Sequence, residues 1–213
     1  IAVNPYASTV DIRSDGVQVS GFVITGGNWG NVGGGITLNA QKNCLISNNT
    51  IEGNGNGIYL DGATNNSIKN NIIRNNSGAG IQLGWYRGAN ENIVMGNEIS
   101  KNGVGIGVGG HNNVITDNNL IQNGNGISVG QYIKSMIYHN NFIDNSRQYS
   151  DGSEGRTRWE NGYPDGGNHW SDWTSPDEFS GEAQDIAGSD GIVDKPYGRD
   201  RYPFVSANGW IPQ

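Results

Sequence analysis

The sequence predicts an all-β fold: a right-handed, single-stranded parallel β-helix of about six coils, followed by an aromatic and acidic capping segment at the C-terminal end. Three observations support this prediction. A sequence unit recurs about every 22 residues, which is the signature of a solenoid repeat. The apolar residues of each unit form runs too short for helices. Gly and Asn, which mark turns, stand between these runs.

Each repeat contains three apolar segments. The first reads Gly-Ile-x-(Leu or Val), and its copies begin at Gly35, Gly57, Gly80, Gly105 and Gly126. The second reads Asn-x-Ile, and its copies begin at Asn49, Asn71, Asn97, Asn119 and Asn141. A further apolar position precedes the second unit at Ile46, Ile68, Val94, Ile115 and Ile137. Alternation such as Ile58 inward, Tyr59 outward and Leu60 inward is typical of a strand, so we expect three short strands per coil.

The Gly and Asn residues between the strands are expected to supply the left-handed backbone of tight turns. Neighbouring coils of such a solenoid lie roughly 4.8 Å apart, so that equivalent residues form columns. Asn pairs recur at one corner, at positions 48–49, 70–71, 118–119 and 140–141. We predict that one member of each pair stacks into an amide ladder, which satisfies backbone groups of the turns.

The composition excludes several classes of protein. The chain has 13 basic and 20 acidic residues and a net charge of -7, without the basic patch that nucleic acid or anionic lipid requires. We therefore expect no nucleic-acid partner. Cys44 is the only cysteine, which excludes an intramolecular disulfide and a thiol-rich metal site. No apolar run approaches the roughly 20 residues of a membrane span.

Charge and composition divide the chain into two parts. Residues 1–146 carry 7 basic and 8 acidic side chains, whereas residues 147–213 carry 6 and 12. We therefore predict a β-helix region over 1–146 and a loop-rich C-terminal cap over 147–213. The sequence begins at Ile1 without a signal peptide, and we expect that a leader or further upstream sequence has been removed.

The combination of Asn-Asn-x-Ile with Asn-x-x-Gly-Ile-x-Leu resembles the NosD-like, CASH-type β-helix repeats, over about residues 10 to 146. That resemblance implies a pectin-lyase-like solenoid. It also implies a secreted or cell-surface protein of the carbohydrate-binding and sugar-hydrolase superfamily. The family includes surface proteins, periplasmic accessory proteins and polysaccharide-active enzymes, so the resemblance predicts the fold and leaves the activity open.

The C-terminal part is similar to the terminal segment of archaeal surface β-helix proteins. The similarity lies in the aromatic and Asp framework of segments 166–173, 188–197 and 200–204, where His169, Val193 and Lys195 depart from the usual pattern. Because a solenoid must cover the end of its core, we expect these aromatic rings to close the last coil. The alternative is a platform on which sugars stack.

Acidic residues crowd a Gly-containing loop region of the tail, namely Asp172, Asp177, Glu182, Asp185, Asp190 and Asp194. Hard oxygen ligands on loops suit Ca²⁺, which takes about 6–8 of them. Their spacing does not match an EF-hand loop. We nevertheless predict a structural calcium ion bound by Asp172, Asp177, Asp185, Asp190 and Asp194, with Asp190 and Asp194 as the leading ligands; solvated Asp-Gly turns are the alternative.

One group of outward residues brings together an acid, a base, a cation and aromatic rings. After the Gly-Ile-x-Leu strand, successive coils present the candidate carbohydrate-binding residues Asp61, Trp85, Tyr86, Arg87, His111, Gln131 and Tyr132. In a binding module, Trp85 and Tyr86 would stack on sugar faces. In a lyase or epimerase, Arg87 would hold a uronate carboxylate, and His111 or Tyr132 would transfer the proton. An ordinary surface loop is the alternative.

Three functional interpretations remain open at this point. The first is a structural or carbohydrate-contacting β-helix that assembles end to end, whose partners are polysaccharide or other copies of the chain. The second is a polysaccharide lyase, epimerase or hydrolase acting on an acidic glycan. The third is a domain of a longer surface protein, in which upstream coils cover the first strands. The sequence leaves the catalytic residues and the glycan unidentified.

Overall fold

The protein is described by a computed structural model over residues 8–27, 34–84 and 87–211. Within these residues the chain forms β-strands and no helix. Strands of successive coils pair in parallel and in sequence order, which gives a solenoid of about six coils. The predicted all-β parallel solenoid is therefore confirmed.

Three parallel sheets form the sides of the solenoid. Sheet A contains β1 (Val10–Ile12), β4 (Gly34–Asn39), β7 (Asn56–Asp61), β10 (Ala79–Leu83), β13 (Val104–Val108), β16 (Asn125–Val129) and β19 (Arg147–Asp151). Sheet B contains β2 (Gln18–Ser20), β5 (Leu45–Ser47), β8 (Ser67–Lys69), β11 (Ile93–Met95), β14 (Val114–Thr116) and β17 (Met136–Tyr138). Sheet C contains β3 (Val23–Ile24), β6 (Thr50–Glu52), β9 (Ile72–Arg74), β12 (Glu98–Ser100), β15 (Asn119–Ile121), β18 (Asn141–Ile143) and β20 (His169–Trp170).

The connections between sheets are named A–B, B–C and C–A turns after the sheets they join. A separate antiparallel pair in the tail consists of β21 (Phe179–Ser180) and β22 (Ile186–Ala187). The interior is filled by aliphatic columns, such as the fully buried Ile36, Ile58 and Ile81, which lie side by side on adjacent coils of sheet A. Burying such side chains contributes about 1.5–3 kcal/mol each.

The predicted alignment of the Asn-x-Ile unit is wrong by one residue in the last two repeats. Ile99 of β12 pairs with Leu120, and Leu120 pairs with Phe142, so Leu120 and Phe142 continue the buried column. Ile121 and Ile143, which the predicted Asn-x-Ile units place in this column, are only partly buried. The unit therefore begins at Asn118 and Asn140, because the buried position follows the ladder asparagine by two residues.

The predicted amide ladder is present at the B–C turns. Successive side chains are linked by Nδ2–H···Oδ1 hydrogen bonds of 2.9–3.0 Å, and the members are Asn49, Asn71, Asn97, Asn118, Asn140 and Asn168. Each amide also satisfies backbone groups: the Nδ2 group of Asn71 donates to the carbonyl oxygens of Ile46 and Lys69 at 3.0 and 3.1 Å. The prediction of one stacked Asn per pair is confirmed.

Two further asparagine ladders were not predicted. One follows the C–A turns through Asn54, Asn76, Asn102, Asn123 and Asn145, with Nδ2–H···Oδ1 distances of 2.9–3.1 Å. The other follows the A–B turns through Asn66, Asn92 and Asn113, with distances of 3.0 and 3.2 Å. The repeat spacing of these asparagines was a usable signal, because each follows its predecessor by 21, 22 or 26 residues.

Left-handed backbone occurs one residue before the ladder positions. Asn70 and Asp117, for example, have φ values of 55° and 58° and directly precede Asn71 and Asn118. The Gly of the Gly-Ile-x-Leu unit has a different role. A Cβ atom on Gly105 would lie 2.3 Å from the carbonyl oxygen of Gly126 on the next coil. The glycines of this unit lie within the strands and are required by the close stacking of coils, whereas glycines between strands, such as Gly53 and Gly96, have the expected left-handed backbone, with φ values of 66° and 67°.

The sheets continue beyond the predicted boundary at residue 146. Strand β19 extends sheet A, β20 extends sheet C, and Arg158 forms a parallel bridge with Met136 of sheet B. Aromatic rings pack upon one another from here into the tail: Trp170 stacks on Phe142, and Tyr197 stacks on Trp170, with centroid distances of 4.2 and 4.5 Å. The division at 146 stays a prediction, as does the capping role of the tail.

Asp200 terminates the B–C ladder. Its Oδ2 atom accepts the backbone N–H of Asn168 and the Nε1–H of Trp170, each at 2.8 Å, and its Oδ1 atom accepts the backbone N–H of Tyr202 at 3.2 Å. The carboxyl group thus occupies the acceptor position that a further asparagine would take. Burial raises the pKa of Asp200 from 3.8 to about 7, although the N–H donors act in the opposite direction.

This raised pKa predicts a pH-dependent stability. Between about pH 4 and pH 7 the folded Asp200 holds a proton that the unfolded residue has lost, so the free energy of unfolding falls as the pH rises, by up to about 1.4 kcal/mol per pH unit. The stabilisation that comes from the raised pKa of Asp200 is complete below about pH 4 and lost above about pH 7. We expect the stability of the wild type relative to Asp200→Asn to be greater at pH 5 than at pH 8, by more than about 1 kcal/mol.

Urea denaturation of both proteins at the two pH values provides the measurement. Because the asparagine does not titrate, the difference between the two proteins isolates Asp200 from the other carboxyl groups. The stability of the wild type relative to Asp200→Asn could instead be equal at the two pH values or greater at pH 8. Either result would show that the N–H donors outweigh burial and keep the Asp200 carboxylate ionised.

Candidate functional site

The predicted carbohydrate-binding residues lie along the A–B turns. We define the A–B edge as residues 87–92, 109–113, 130–135 and 152–157, together with Asp61 at the end of β7. Trp85 and Tyr86 lie outside the described residues, so their predicted contact with sugar remains a prediction. The other five predicted residues fall into two groups along this edge.

The first group is an ion pair between adjacent coils. The Nε atom of Arg87 lies 2.8 Å from Oδ2 of Asp61, whose Oδ1 atom accepts the backbone N–H of Arg87, also at 2.8 Å. The guanidinium group donates a further hydrogen bond to Oδ1 of Asn39. The Asp61 side chain is 10% exposed and that of Arg87 is 55% exposed. The guanidinium is therefore held on one side by the protein, and the ion pair connects two adjacent coils.

The second group surrounds His111. Its backbone N–H donates to Oδ1 of Asn90 at 2.7 Å, and its Nδ1 atom accepts the backbone N–H of Lys134 at 3.3 Å. A ring nitrogen that accepts a hydrogen bond carries no proton, so the Nε2 atom of the neutral ring carries it. His111 is exposed and links two successive coils of the A–B edge.

Tyr132 is the exposed aromatic residue of this group. Its side chain is 49% exposed, and the guanidinium carbon of Arg156 lies 5.2 Å from the ring centroid. A cation in that position is attracted by the electrons of the ring. Gln131 is exposed beside it. The structure thus places His111, Gln131 and Tyr132 on neighbouring coils, separate from the Asp61–Arg87 ion pair.

The sequence analysis missed a group of three cations, one of which, Arg156, stacks on Tyr132. Lys134, Arg156 and Arg158 line a cleft of about 400 Å³ on the outer side of sheet B, together with Asn112, Asn113, Val114, Ser135 and Met136. We call this the cationic cleft. The bridge between Met136 and Arg158 also sets the register of Lys134 beside Arg156. Lys134 and Arg156 are separated by 22 residues, which is one repeat of the solenoid. This spacing was the signal in the sequence that would have revealed the two cations as neighbours.

A second concave surface lies on the outer side of sheet A. It has a volume of about 310 Å³, and its lining is Gln82, Gly84, Val104, Gly107, Val108, Gly109, Ser128 and Gly130. Gly107 pairs with Gln82 and Ser128 of the adjacent strands, and the side-chain amide of Gln82 lies over Gly107, where a Cβ atom would be 2.3 Å from Oε1 of Gln82. The segment from Gly130 to Lys134 separates this surface from the cationic cleft.

The aspartates predicted to bind calcium make hydrogen bonds within the tail. Asp177 accepts the backbone N–H groups of Asp190 and Gly191 at 3.1 and 2.9 Å. Asp194 accepts the backbone N–H groups of Glu178 and Phe179 at 3.1–3.2 Å. In the described ranges, no three His, Cys, Asp or Glu side chains are grouped so that they could hold a metal ion. Calcium binding remains a prediction.

The remaining three predicted ligands are also placed individually. The carboxylate of Asp190 accepts the backbone N–H of Ile192 at 3.0 Å and a side-chain N–H of Gln184 at 3.1 Å. Asp172 accepts the hydroxyl hydrogen of Tyr197 at 3.0 Å, and Asp185 is exposed just before β22. The carboxylates of Asp172, Asp177, Asp190 and Asp194 therefore accept hydrogen bonds from turn, amide and aromatic hydroxyl groups within the tail.

The fold and the A–B edge define a class of protein: a parallel β-solenoid that presents polar and charged side chains at its turns. Residues 4–175 match the family described as periplasmic copper-binding protein (NosD), and the chain belongs to that family. Neither the curated proteins nor the solved structures yielded a match. The family is periplasmic or extracellular, which agrees with the predicted secreted or cell-surface location. The described segments contain no helix of the length and apolarity needed to cross a membrane.

The described residues do not fit a copper site. Proteins hold copper with imidazole, thiolate and thioether groups, which must converge on one point. No three His, Cys, Asp or Glu side chains of the described ranges are grouped around one point. One ring nitrogen of each histidine bonds to a backbone group, that of Lys134 for His111, of Asp165 for His139 and of Phe204 for His169. Cys44 is buried, and its thiol faces the carbonyl oxygens of Ser14 and Lys42. We therefore assign none of them to copper.

Proposed function

We propose that this secreted or cell-surface β-helix protein binds polysaccharide along its A–B edge. The observation that carries the proposal is the exposed ring of Tyr132 between two concave surfaces. The turn that holds Tyr132 contributes Gly130 to the surface on sheet A and Lys134 to the cationic cleft. Ligand sites combine a concave shape, an aromatic or apolar contact and a few polar groups that set orientation.

The geometry of the edge suits a chain-like ligand. Equivalent positions on successive coils repeat roughly every 4.8 Å, so a linear polymer can contact several coils at once. Tyr132 offers a large amphipathic ring at little cost in conformational entropy. The Asp61–Arg87 ion pair lies on the same edge, with the Arg87 side chain 55% exposed. These features support binding by an extended, rigid surface.

A Tyr132→Asn substitution tests this proposal. Asparagine tolerates the positive φ of 57° at this position and removes the ring. We expect at least about a tenfold loss of affinity for the polysaccharides that the wild type binds in a panel of neutral and acidic polymers, measured by affinity electrophoresis. Phe22→Ala, which removes a ring that is 59% exposed on another coil, is the matched control. Equal loss in both variants, or in neither, would contradict the proposal.

The alternative function is a polysaccharide lyase, epimerase or hydrolase acting on an acidic glycan. It differs from simple binding in one outcome, because an enzyme releases or alters product. Product formation that is lost in Arg87→Ala or His111→Ala would favour the enzyme. Self-assembly, with or without the predicted calcium ion, is the other alternative, and light scattering with and without a chelator measures it as a change in mass.

A further inference from the structure

We propose that the cationic cleft binds the carboxylate groups of an acidic polysaccharide, so that the ligand of the A–B edge is a polyuronate. This inference rests on the proposed function and names its substrate class. The cleft lies next to Tyr132 on the same turn, which allows one polymer to contact both. Its volume of about 400 Å³ lies in the range of about 300–1,000 Å³ that is usual for ligand sites.

The charges of the cleft are not neutralised by the protein. In the part of the chain that the structure describes, neither Lys134 nor Arg156 forms an ion pair with a carboxylate. Arg158 lies 3.6 Å from Glu160, but that carboxylate is shared with Arg201 at 3.0 Å. Two of the three cations are therefore available to an anion, in a protein whose net charge is -7.

Repulsion between Lys134 and Arg156 destabilises the folded protein, and a bound anion would remove this repulsion. Lys134 and Arg156 occupy equivalent positions on adjacent coils, as the Met136–Arg158 bridge defines. Two cations at equivalent positions of neighbouring coils, which are spaced roughly 4.8 Å apart, repel one another. Among the described residues no carboxylate pairs with either cation to offset this repulsion, and the guanidinium of Arg156 stacks on the Tyr132 ring. A carboxylate between them would convert the repulsion into charge-assisted hydrogen bonds.

The groups of the cleft favour a carboxylate on a sugar. Guanidinium groups bind carboxylates with two parallel hydrogen bonds, and the ammonium of Lys134 adds a third donor. The hydroxyl of Ser135 and the amides of Asn112 and Asn113 line the same cleft, although Ser135 and Asn113 already bond to the protein. The Tyr132 ring supplies a face for the sugar beside the anionic group.

The test compares polygalacturonate with its uncharged methyl ester and with two polyanions that carry no carboxylate groups. Binding of polygalacturonate, fully methyl-esterified polygalacturonate, dextran sulfate and polyphosphate is measured by calorimetry with the wild type and with the double variant Lys134→Ala/Arg156→Ala. Lys101→Ala/Arg147→Ala removes two exposed cations from other turns and strands and is the matched control. All variants are checked for an unchanged thermal unfolding transition, which we expect because the substituted side chains are exposed.

We expect polygalacturonate to bind the wild type and the control equally, and to bind the cleft variant at least about tenfold more weakly with a smaller dependence on salt. The methyl ester should bind the wild type as weakly as polygalacturonate binds the variant. Equal binding of the acid and the ester would overturn the inference while leaving polysaccharide binding intact. Equal binding of dextran sulfate or polyphosphate would show a general polyanion site instead. Failure of every polysaccharide to bind would overturn the proposed function itself.

Discussion

Replacing Asn71 with leucine is expected to destabilise the solenoid by about 4 kcal/mol, because both the oxygen and the nitrogen of the buried side-chain amide are hydrogen-bonded. Its Oδ1 atom accepts two hydrogen bonds from Asn49, and its Nδ2 group donates to Ile46, Lys69 and Asn97. Leucine has a similar volume but leaves these five partners without the amide. Each buried polar group left unpaired costs about 1–3 kcal/mol.

The neighbouring Asn70 provides the control. It is exposed and has a φ of 55°, so Asn70→Gly retains the backbone conformation without touching the ladder. We expect this variant to remain within about 0.5 kcal/mol of the wild type. Urea denaturation of both variants gives the two free energies. Similar values for the two substitutions would show that the ladder contributes little beyond an ordinary turn.

Gly105→Ala is expected to cost about 3 kcal/mol, at the upper end of the range for overpacking. The added Cβ atom would lie 2.3 Å from the carbonyl oxygen of Gly126 and 3.0 Å from Cδ2 of Leu120. The first contact is with backbone, so the coils must move apart, which weakens their hydrogen bonds. The measurement is the change in thermal or chemical unfolding midpoint.

Gly130→Ala is the matched control for this steric effect. A Cβ atom at Gly130 would meet its nearest neighbour, the carbonyl oxygen of Val108, at an ordinary 3.4 Å. Since neither glycine has a positive φ, loss of chain flexibility is comparable in both variants. If both alanines are equally tolerated, the coils are less closely constrained at Gly105 than the structure indicates.

Much of the fold followed from the sequence because the repeat is local. The glycines, the aliphatic positions and the paired asparagines recur at nearly constant spacing, and in a solenoid residues one repeat apart become neighbours. The slip of one residue at Leu120 and Phe142 arose where two asparagines are followed by two different apolar residues, as in Asn118-Asn119-Leu120-Ile121. There two alignments fit the pattern equally, and only the hydrogen bonds of Asn118 decide between them.

The candidate site was predicted less completely. The sequence pointed to the A–B edge through His111, Gln131 and Tyr132, but it treated Arg87 as a free cation. In the structure Arg87 is paired with Asp61, whereas Lys134 and Arg156 have no such partner among the described residues. Whether a cation is paired depends on side-chain directions across coils of different length, which the repeat pattern does not specify.

The sequence by itself determined the parallel solenoid, its aliphatic interior and the amide ladder of the B–C turns, because each depends on residues at one repeat spacing. The tertiary structure decided the rest: the cationic cleft, the steric role of Gly105 and the placement of Asp200 at the end of the ladder. Asp200 lies 32 residues from Asn168, outside any repeat. Its position is set by packing and hydrogen bonding in the tail, where no periodic pattern links sequence distance to distance in space.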